Sequence, residues 1–528
     1  MTEKSKYIAV TIGPVFDTIN LASTPCALWA GSYMLSMLSK NICTTLTTEE
    51  FGIQQADIIS PSFSPNSTII QRNDGVGLFH DRVIFKIDET KFTIEDFSKV
   101  KQKAIEKTVK DFGFEDKWLD YFKKYFLVSA VEFESVYVKE DKDKKIKAHN
   151  PILDSSVALD CLELVKPFQK QEGTNPLLDI YTPDNGKNND QTKETSKNRE
   201  IKKRVQAMGI QNWQLYSKKS DKRIKDLEEL SSGKIDEELK KKFKKYSYYA
   251  VVRSDGDRMG KIISSLSSDE EVRKFSSTCF AYCSDIADMV YSQYDGISIY
   301  AGGDDLLALI PIETKDRKTV FNFVQDANEK FNEHFKNYKE AGASLSFGIF
   351  VSYYKFPLYE ALEQSAYLLF GVAKTERNAV AIHFQKHSGQ SAGLLIDNGS
   401  MGNFIDFYSK VYPKAEKNIE EKEKIFLSAM HKLVLFEAMF NAQNADEEII
   451  QLFKNTFDAD EHKGNQFLGS ILPEFFIELR KDIQIFPITD NGVKLFKDTD
   501  EKRHNKNFVA TMVYILRVIK FFSESAGE

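Results

Sequence analysis

Gly296-Ile-Ser-Ile-Tyr-Ala-Gly-Gly-Asp-Asp-Leu-Leu-Ala-Leu-Ile310 is the stretch whose reading decides the fold. Apolar and β-branched residues lie on both sides of Gly302-Gly303-Asp304-Asp305, which predicts two short strands joined by a glycine-rich turn. The glycines tolerate positive φ and leave room for a ligand to approach the backbone. Asp304 and Asp305 then project side by side from the rim of a sheet. Adjacent carboxylates repel unless a cation neutralises them, and Mg²⁺ takes one or two carboxylates together with substrate phosphate oxygens. A lone Gly-Gly-Asp-Asp is more often an ordinary polar turn, so the surrounding sequence must decide.

Upstream, Tyr246–Val252 reads as a buried strand with Arg253-Ser-Asp-Gly-Asp-Arg-Met-Gly260 at its exit. Ser268 and Glu271 have the spacing of a capping box. Val272, Phe275, Cys279, Cys283, Ile286 and Val290 then recur at helical spacing. Downstream come a helix with Val320, Val324, Ala327, Phe331 and Phe335 on one face, a strand over Ser344–Val351, a helix over Pro357–Val372 and a strand over Ala379–Phe384. This is the order of a ferredoxin-like palm. In that topology the end of the first strand lies beside the central hairpin, which brings Asp255 to Asp304 and Asp305. Three carboxylates at a sheet edge can hold two metal ions roughly 4 Å apart, one activating a ribose hydroxyl and the other steadying the triphosphate and the departing pyrophosphate. Lys374 and Arg377 are suitable cations for those phosphates. Asp257 is read as shaping the Asp-Gly-Asp turn.

Residues 1–165 repeat the order with a strand at Tyr7–Ile12, a helix at Trp29–Ser39, a strand at Arg82–Ile87, a charged helix over 94–122 and a strand at Phe126–Tyr137. The fold class expected is α+β: two nucleotidyl cyclase-like palms from an internal duplication, a connector over 166–245, the second palm over 246–390 and a helical bundle over 391–528. The first palm has no paired acidic turn. Asp74 reads as a turn residue, and His80-Asp81 lacks the upstream histidine of an HD phosphohydrolase and reads as structural. Residues 170–200 are polar and aperiodic, and Lys202–Lys225 and 237–245 are dense in Lys and Arg. Those charges read as solvated helix faces or as a local patch for RNA phosphates. A net charge of −6 over 528 residues argues against a free-standing nucleic-acid binder. Five cysteines without a C-x-x-C indicate neither a zinc ribbon nor a disulfide framework. The apolar run Phe508–Phe522 is broken by Arg517 and Lys520, and the N-terminus runs directly into a strand, so a soluble cytoplasmic protein without a membrane span is expected.

Ser254-Asp-Gly-Asp-Arg-Met-Gly260, Gly302-Gly-Asp-Asp305, and Ala373-Lys374 followed by Asn378-Ala379 resemble the large palm subunit of type III CRISPR effector complexes. Ile12-Gly-Pro14, Leu28-Trp-Ala-Gly-Ser-Tyr33 and His387-Ser-Gly-Gln390 point to the type III-B branch. The resemblance covers residues 1 to about 390, with its motifs in order. It implies an adenylyl-transferring site in the second palm, with Asp255, Asp304 and Asp305 as ligands of two Mg²⁺ or Mn²⁺ ions. Ser254, Gly256, Gly302, Gly303, Lys374 and Arg377 would surround the nucleotide. ATP is the implied substrate and cyclic oligoadenylate the implied product. The implied partners are guide RNA, target RNA and the other subunits of the ribonucleoprotein, with a small helical subunit against the C-terminal region. Members of the family without an HD domain imply an alternative acceptor, S-adenosylmethionine, placed against the first palm near Asp74. The sequence departs from the pattern in lacking an N-terminal HD nuclease domain, so DNA cutting is not expected. It also lacks the connector cysteines that often bind zinc, so no zinc is expected. Two competing readings are a catalytically silent RNA-binding scaffold, which has no need of three acids at a sheet edge, and a stand-alone diguanylate cyclase, which carries Glu where this chain has Asp305 and has no second palm.

Overall fold

The structure is a computed structural model that describes residues 4–20, 22, 25–70, 76–112, 114, 116–140, 146–164, 227–411, 419–443, 445–457, 465–489 and 507–523. Its first sheet holds β1 (Ser5–Gly13), β2 (Ile58–Ser60), β3 (Arg82–Ile87) and β4 (Leu127–Ser135) in the order β2-β3-β1-β4. The pairs are antiparallel, with Tyr7 opposite Lys86 on β3 and Phe133 on β4. β1 runs Tyr7-Ile-Ala-Val with every residue buried, as a central strand covered on both faces must be. Helices α1 (Pro25–Leu46) and α2 (Ile94–Asp111) pack together on this sheet. Helix α2 starts at a capping box, Thr93 with Asp96, and buries Phe97, Val100, Ala104, Ile105 and Thr108 at helical spacing. It stops at Asp111, short of the expected 122. The chain turns there so that Phe112, Phe114 and Phe122 all face inward, with Phe114 and Phe122 4.7 Å apart.

The second sheet holds β5 (Tyr248–Asp257), β6 (Ile297–Gly302), β7 (Asp305–Pro311), β8 (Ser344–Tyr353), β9 (Ala379–Gln385), β10 (Ser391–Asp397) and β11 (Ile485–Ile488), in the order β11-β10-β9-β8-β5-β7-β6. Its β8-β5-β7-β6 portion has the same order as β4-β1-β3-β2, so the chain carries two ferredoxin-like palms. Helices α3 (Asp269–Tyr294), α4 (Val320–His334) and α5 (Leu358–Ala366) belong to this second palm, and α5 runs on into a π-helical turn over Tyr367–Ala373. Ser268 caps α3 by accepting from the Glu271 backbone N–H at 3.2 Å.

The sheet does not end at 390. His387-Ser-Gly-Gln390 is the turn of a hairpin, closed by Lys386 N–H to Gln390 O at 2.8 Å, and it leads into β10 against β9. β11, from far along the C-terminal region, then adds to β10. The C-terminal helix α6 (Phe508–Ser523) lays its apolar stripe on this extension, with Phe521 5.0 Å from Phe384 and 4.8 Å from Tyr248. The region after 390 is therefore mostly helical but contributes two strands to the second palm's sheet. An edge strand with buried apolar residues exposes a row of unpaired backbone groups, and further strands are what satisfies them.

The two palms meet along α3. Asp269, its first residue, accepts from Tyr7 Oη at 3.0 Å and Tyr137 Oη at 2.6 Å. Phe79 stacks edge-on against Phe280 at 5.2 Å, and Ala301 N–H donates to Gly77 O at 3.0 Å. The first palm thus leans on the strand that leads into the Gly302-Gly303 turn. Among the described residues, no helix is long and apolar enough to cross a membrane.

Candidate metal and nucleotide site

β5 continues five residues beyond the expected Val252, because Arg253 through Asp257 go on pairing with Gly348 through Ser344 of β8. Asp255 is therefore held in a strand rather than in a loop after it. On the other side of β5 the last recorded pair is Ser254 with Leu306, and one step further Asp255 and Asp305 come side by side across β5 and β7. Gly302 pairs with Asp305, so the hairpin turns over Gly303 and Asp304 alone. Gly303 has φ +70°, the left-handed value a type II′ turn requires at its first position. The Cys283 thiol of α3 donates to Gly303 O at 3.3 Å and fixes the turn from behind.

Asp304 reaches back over Gly256. A Cβ at Gly256 would lie 2.6 Å from Asp304 Oδ2 and 3.0 Å from Asp304 Cβ, so only glycine admits that carboxylate. The result is three carboxylates, Asp255, Asp304 and Asp305, each offering an oxygen within 4.8 Å of the others. Burial and then the charge of Asp255 push the Asp304 carboxyl up to about 7. Asp305, exposed at the rim as the first residue of β7, is still held well above the usual carboxylate range by lost hydration of its carboxyl, by the charge of Asp304 and by its hydrogen bond with Asp255. Like charges this close cannot all ionise without a cation, and an oxygen-only donor set suits Mg²⁺ or Mn²⁺. These three residues fit a divalent metal centre.

Around them the other expected site residues take different places. Lys374 does not point outward. Its ammonium is in contact with the Asp255 carboxylate, lies 3.1 Å from Asp257 Oδ1, and donates to Asp255 O at 3.0 Å and Gly256 O at 2.6 Å. Arg377 is exposed and takes φ 62° and ψ 162°. Ser254 lies on the opposite face of β5 from Asp255, and its buried hydroxyl has no partner among the described residues. Gly303 has open space around it, whereas a Cβ on Gly302 would meet the Tyr300 hydroxyl. Asp74 and Lys202–Lys225 lie outside the described residues.

Two expectations change. Asp257 is no turn former. It is the buried last residue of β5, and its carboxylate accepts from Ser344 Oγ at 2.9 Å, from Ser346 Oγ at 2.8 Å and from Asn378 N–H at 2.8 Å. The hint was present in the spacing, since Asp255 and Asp257 two apart in a strand share a face. Lys245, at the end of the basic run, is no surface charge. It is fully buried on Glu313, at 3.0 and 2.9 Å, and Arg317 and Tyr246 complete the network. A buried ammonium needs such a partner. His80, by contrast, is held as a structural residue: its Nδ1 accepts from Arg82 N–H at 3.3 Å and burial pushes its pKa down to about 4.

The geometry defines a protein of two palm domains, the second with a carboxylate cluster at the ends of β5 and of the β6–β7 hairpin. Residues 248–381 match the family model described as Cas10/Cmr2, second palm domain, and residues 7–114 match that of CRISPR-associated protein Cmr2, N-terminal. The chain belongs to the Cas10/Cmr2 proteins of type III-B CRISPR systems. It is 27% identical over 212 residues to the CRISPR system Cmr subunit Cmr2 of Pyrococcus furiosus, a match spanning 34% of this chain and 23% of that protein. The match thus takes in less than a quarter of the relative's length. Its fold follows that of a chain in the type III-B Cmr-beta complex in the apo state, with a TM-score of 0.59 at 13% identity, covering 98% of this chain and 82% of the other. A chain of the Csm1–Csm4 cassette in complex with cA3 superposes with a TM-score of 0.53 at 12% identity, covering 98% and 70%. At these identities the likeness is one of fold.

Proposed function

We propose that the second palm of this chain transfers adenylyl groups from ATP to a hydroxyl acceptor, releasing pyrophosphate, and so builds cyclic oligoadenylate as a signal. The observation that carries this reading is the convergence of Asp255, Asp304 and Asp305 within 4.8 Å. Mg²⁺ or Mn²⁺, as a pair of ions, would supply activation of the attacking hydroxyl and neutralisation of the triphosphate. The chain's own residues prepare for that charge. Asp304 and Asp305 hold protons more tightly than ordinary carboxyls and give them up when a cation arrives. Gly303 itself adds no side chain and has open space around it, so phosphate oxygens can approach the backbone there. Arg377, exposed three residues after Lys374, is the guanidinium for phosphate contact. A structure of the same fold, the Csm1–Csm4 cassette, is in complex with cA3, which supports a nucleotide product.

The chain works in the cytoplasm as one subunit of a type III-B ribonucleoprotein, with guide and target RNA bound through its partners and a small helical subunit against the C-terminal helices. Its division is a first palm over 1–165, a connector over 166–245, a second palm from 246 that includes β10 and β11, and the C-terminal helices. Target RNA switches the site on, because a catalytic centre of several groups tolerates little displacement and the two palms share the α3 contact. The test incubates the assembled complex with target RNA, labelled ATP and candidate acceptors, followed by mass spectrometry. Cyclic oligoadenylate that depends on target RNA supports the proposal. A mass corresponding to AMP joined to S-adenosylmethionine replaces the acceptor, and no product with any acceptor leaves a scaffold.

A further inference from the structure

Asp257 lies two residues from Asp255 yet contributes nothing to the three-carboxylate cluster, and it is 2% exposed. Four groups satisfy it: Ser344 Oγ, Ser346 Oγ, the Asn378 backbone N–H and the Lys374 ammonium. The last two belong to one short stretch after the π-helical turn. Within it Arg377 has φ 62° and ψ 162°, and Asn378 has φ 48°, two consecutive non-glycine residues in the left-handed half of the map. Such backbone persists only where surrounding bonds over-determine it. Asp257 supplies one of those bonds directly.

Lys374 is the group this arrangement delivers. An ammonium has three N–H donors. Here four acceptors surround it: the carbonyls of Asp255 and Gly256 and the carboxylates of Asp255 and Asp257. If the Asp255 carboxylate is withdrawn, the two carbonyls and Asp257 still satisfy all three donors. The Asp255 contact is the one that can be given up without orphaning the charge.

We infer that Asp257 is a positioning residue that anchors Lys374 as a built-in counter-ion of the carboxylate cluster, and that a divalent metal must displace this ammonium from Asp255 while Asp257 keeps hold of it. The inference rests on the metal-centre reading of Asp255, Asp304 and Asp305. It gives the metal-free chain a way to keep clustered carboxylates together, and it couples metal loading to release of a cation toward incoming phosphate.

The experiment measures Mn²⁺ affinity of the full chain without nucleotide, by the electron paramagnetic resonance signal of free Mn²⁺. Lys374→Met removes the competing cation, so Mn²⁺ should bind on the order of tenfold more tightly, as expected for deleting a unit charge at contact distance. Asp257→Asn leaves Lys374 with Asp255 as its sole carboxylate partner and should weaken Mn²⁺ binding several-fold. In the Lys374→Met background the Asp257→Asn change should alter affinity by less than about twofold, because its effect acts through Lys374. A merely structural Asp257 would instead weaken binding equally in both backgrounds, which overturns the inference. So does unchanged or weaker binding in Lys374→Met, a result that stands even if Asp257→Asn does not fold. Wild-type chain that binds no Mn²⁺ overturns this inference together with the metal centre, whereas wild-type binding with an unaltered Lys374→Met overturns the counter-ion alone.

Discussion

In the first palm β1 ends at Gly13, and the chain takes residues 61–81 to pass from β2 to β3; in the second, β5 carries Asp255 and Asp257 to its end, and β6 turns into β7 over Gly303 and Asp304. The sheets are ordered alike. Their charges at corresponding points are opposite. Where β7 opens with Asp305 beside Asp255, β3 opens with Arg82 opposite Thr11, its guanidinium 2.5 Å from Asp160 and 2.8 Å from Glu163. A cation is already covalently present at that point of the first palm. The difference teaches that the palm topology sets where strand ends meet, and a handful of residues there decides whether they bind anything.

The largest test of this contrast is Asp304→Ala with Asp305→Ala. Nucleotide transfer by the assembled complex should fall at least on the order of a thousandfold, in the range expected when the groups stabilising developing charge are removed. The thermal midpoint should not fall, since removing crowded carboxylates relieves repulsion in the metal-free protein. Arg82→Gln, the first-palm counterpart, should change turnover by no more than about threefold, since partly exposed ion pairs contribute little. Equal losses in the two palms would break the comparison.

Gly256→Ala sharpens it at the level of one methyl group. The new Cβ meets Asp304 Oδ2 at 2.6 Å and Met259 Cγ at 2.8 Å, which displaces the carboxylate by the better part of an ångström. Transfer should drop about a hundredfold, the size of loss a displacement of that order brings. Gly13→Ala meets nothing nearer than 3.8 Å and should leave rates within about twofold of wild type. Paired kinetic and Mn²⁺-binding measurements read both.

A smaller effect appears in stability against pH. An aspartate raised from the ordinary 3.8 to about 7 keeps its proton in the folded chain, so its favourable contribution is full below pH 3.8 and lost as pH rises through 7. Metal-free wild type should therefore lose stability over that window, and Asp304→Asn should not. Melting curves should show the variant gaining by about 1–2 kcal/mol at pH 8, discounted for partial solvent access, with the gap closing toward pH 4. Saturating Mn²⁺ should reverse the order by stabilising only the wild type.

The smallest effect belongs to His80. With its pKa near 4 it is neutral across the working range, so His80→Gln should leave the pH profile of transfer unaltered. A step near pH 6.5 that disappears in this variant would give the first palm a chemical role.

The order of elements in the second palm was legible because hydrophobic periodicity and glycine breaks are local signals, whereas the first palm's edge strand β2, only three residues long before Pro61, left no pattern to read. Also legible was the approach of Asp255 to the Gly302-Gly-Asp-Asp305 turn, which follows once the ferredoxin-like order is recognised. The end of the second sheet was not. β11 lies about ninety residues beyond β10 in sequence, and its short Ile485-Phe-Pro-Ile488 carries too little pattern to announce a strand. Lys245 was misread because a lysine in a basic run looks the same whether it is solvated or buried, and Glu313 is 68 residues away.

By itself the sequence determined the two palms, the hairpin and the acidic residues at strand ends, since these depend on neighbours within a few positions along the chain. Only the tertiary structure decided that Lys374 lies on Asp255, that Asp257 anchors the strained turn at Asn378, and that Asp304 folds back over Gly256. Those contacts join residues 48 to 121 positions apart. They depend on the β5–β8 register and on where the helix after β8 sets its last turn, and register and packing are properties of the assembled sheet rather than of any one segment.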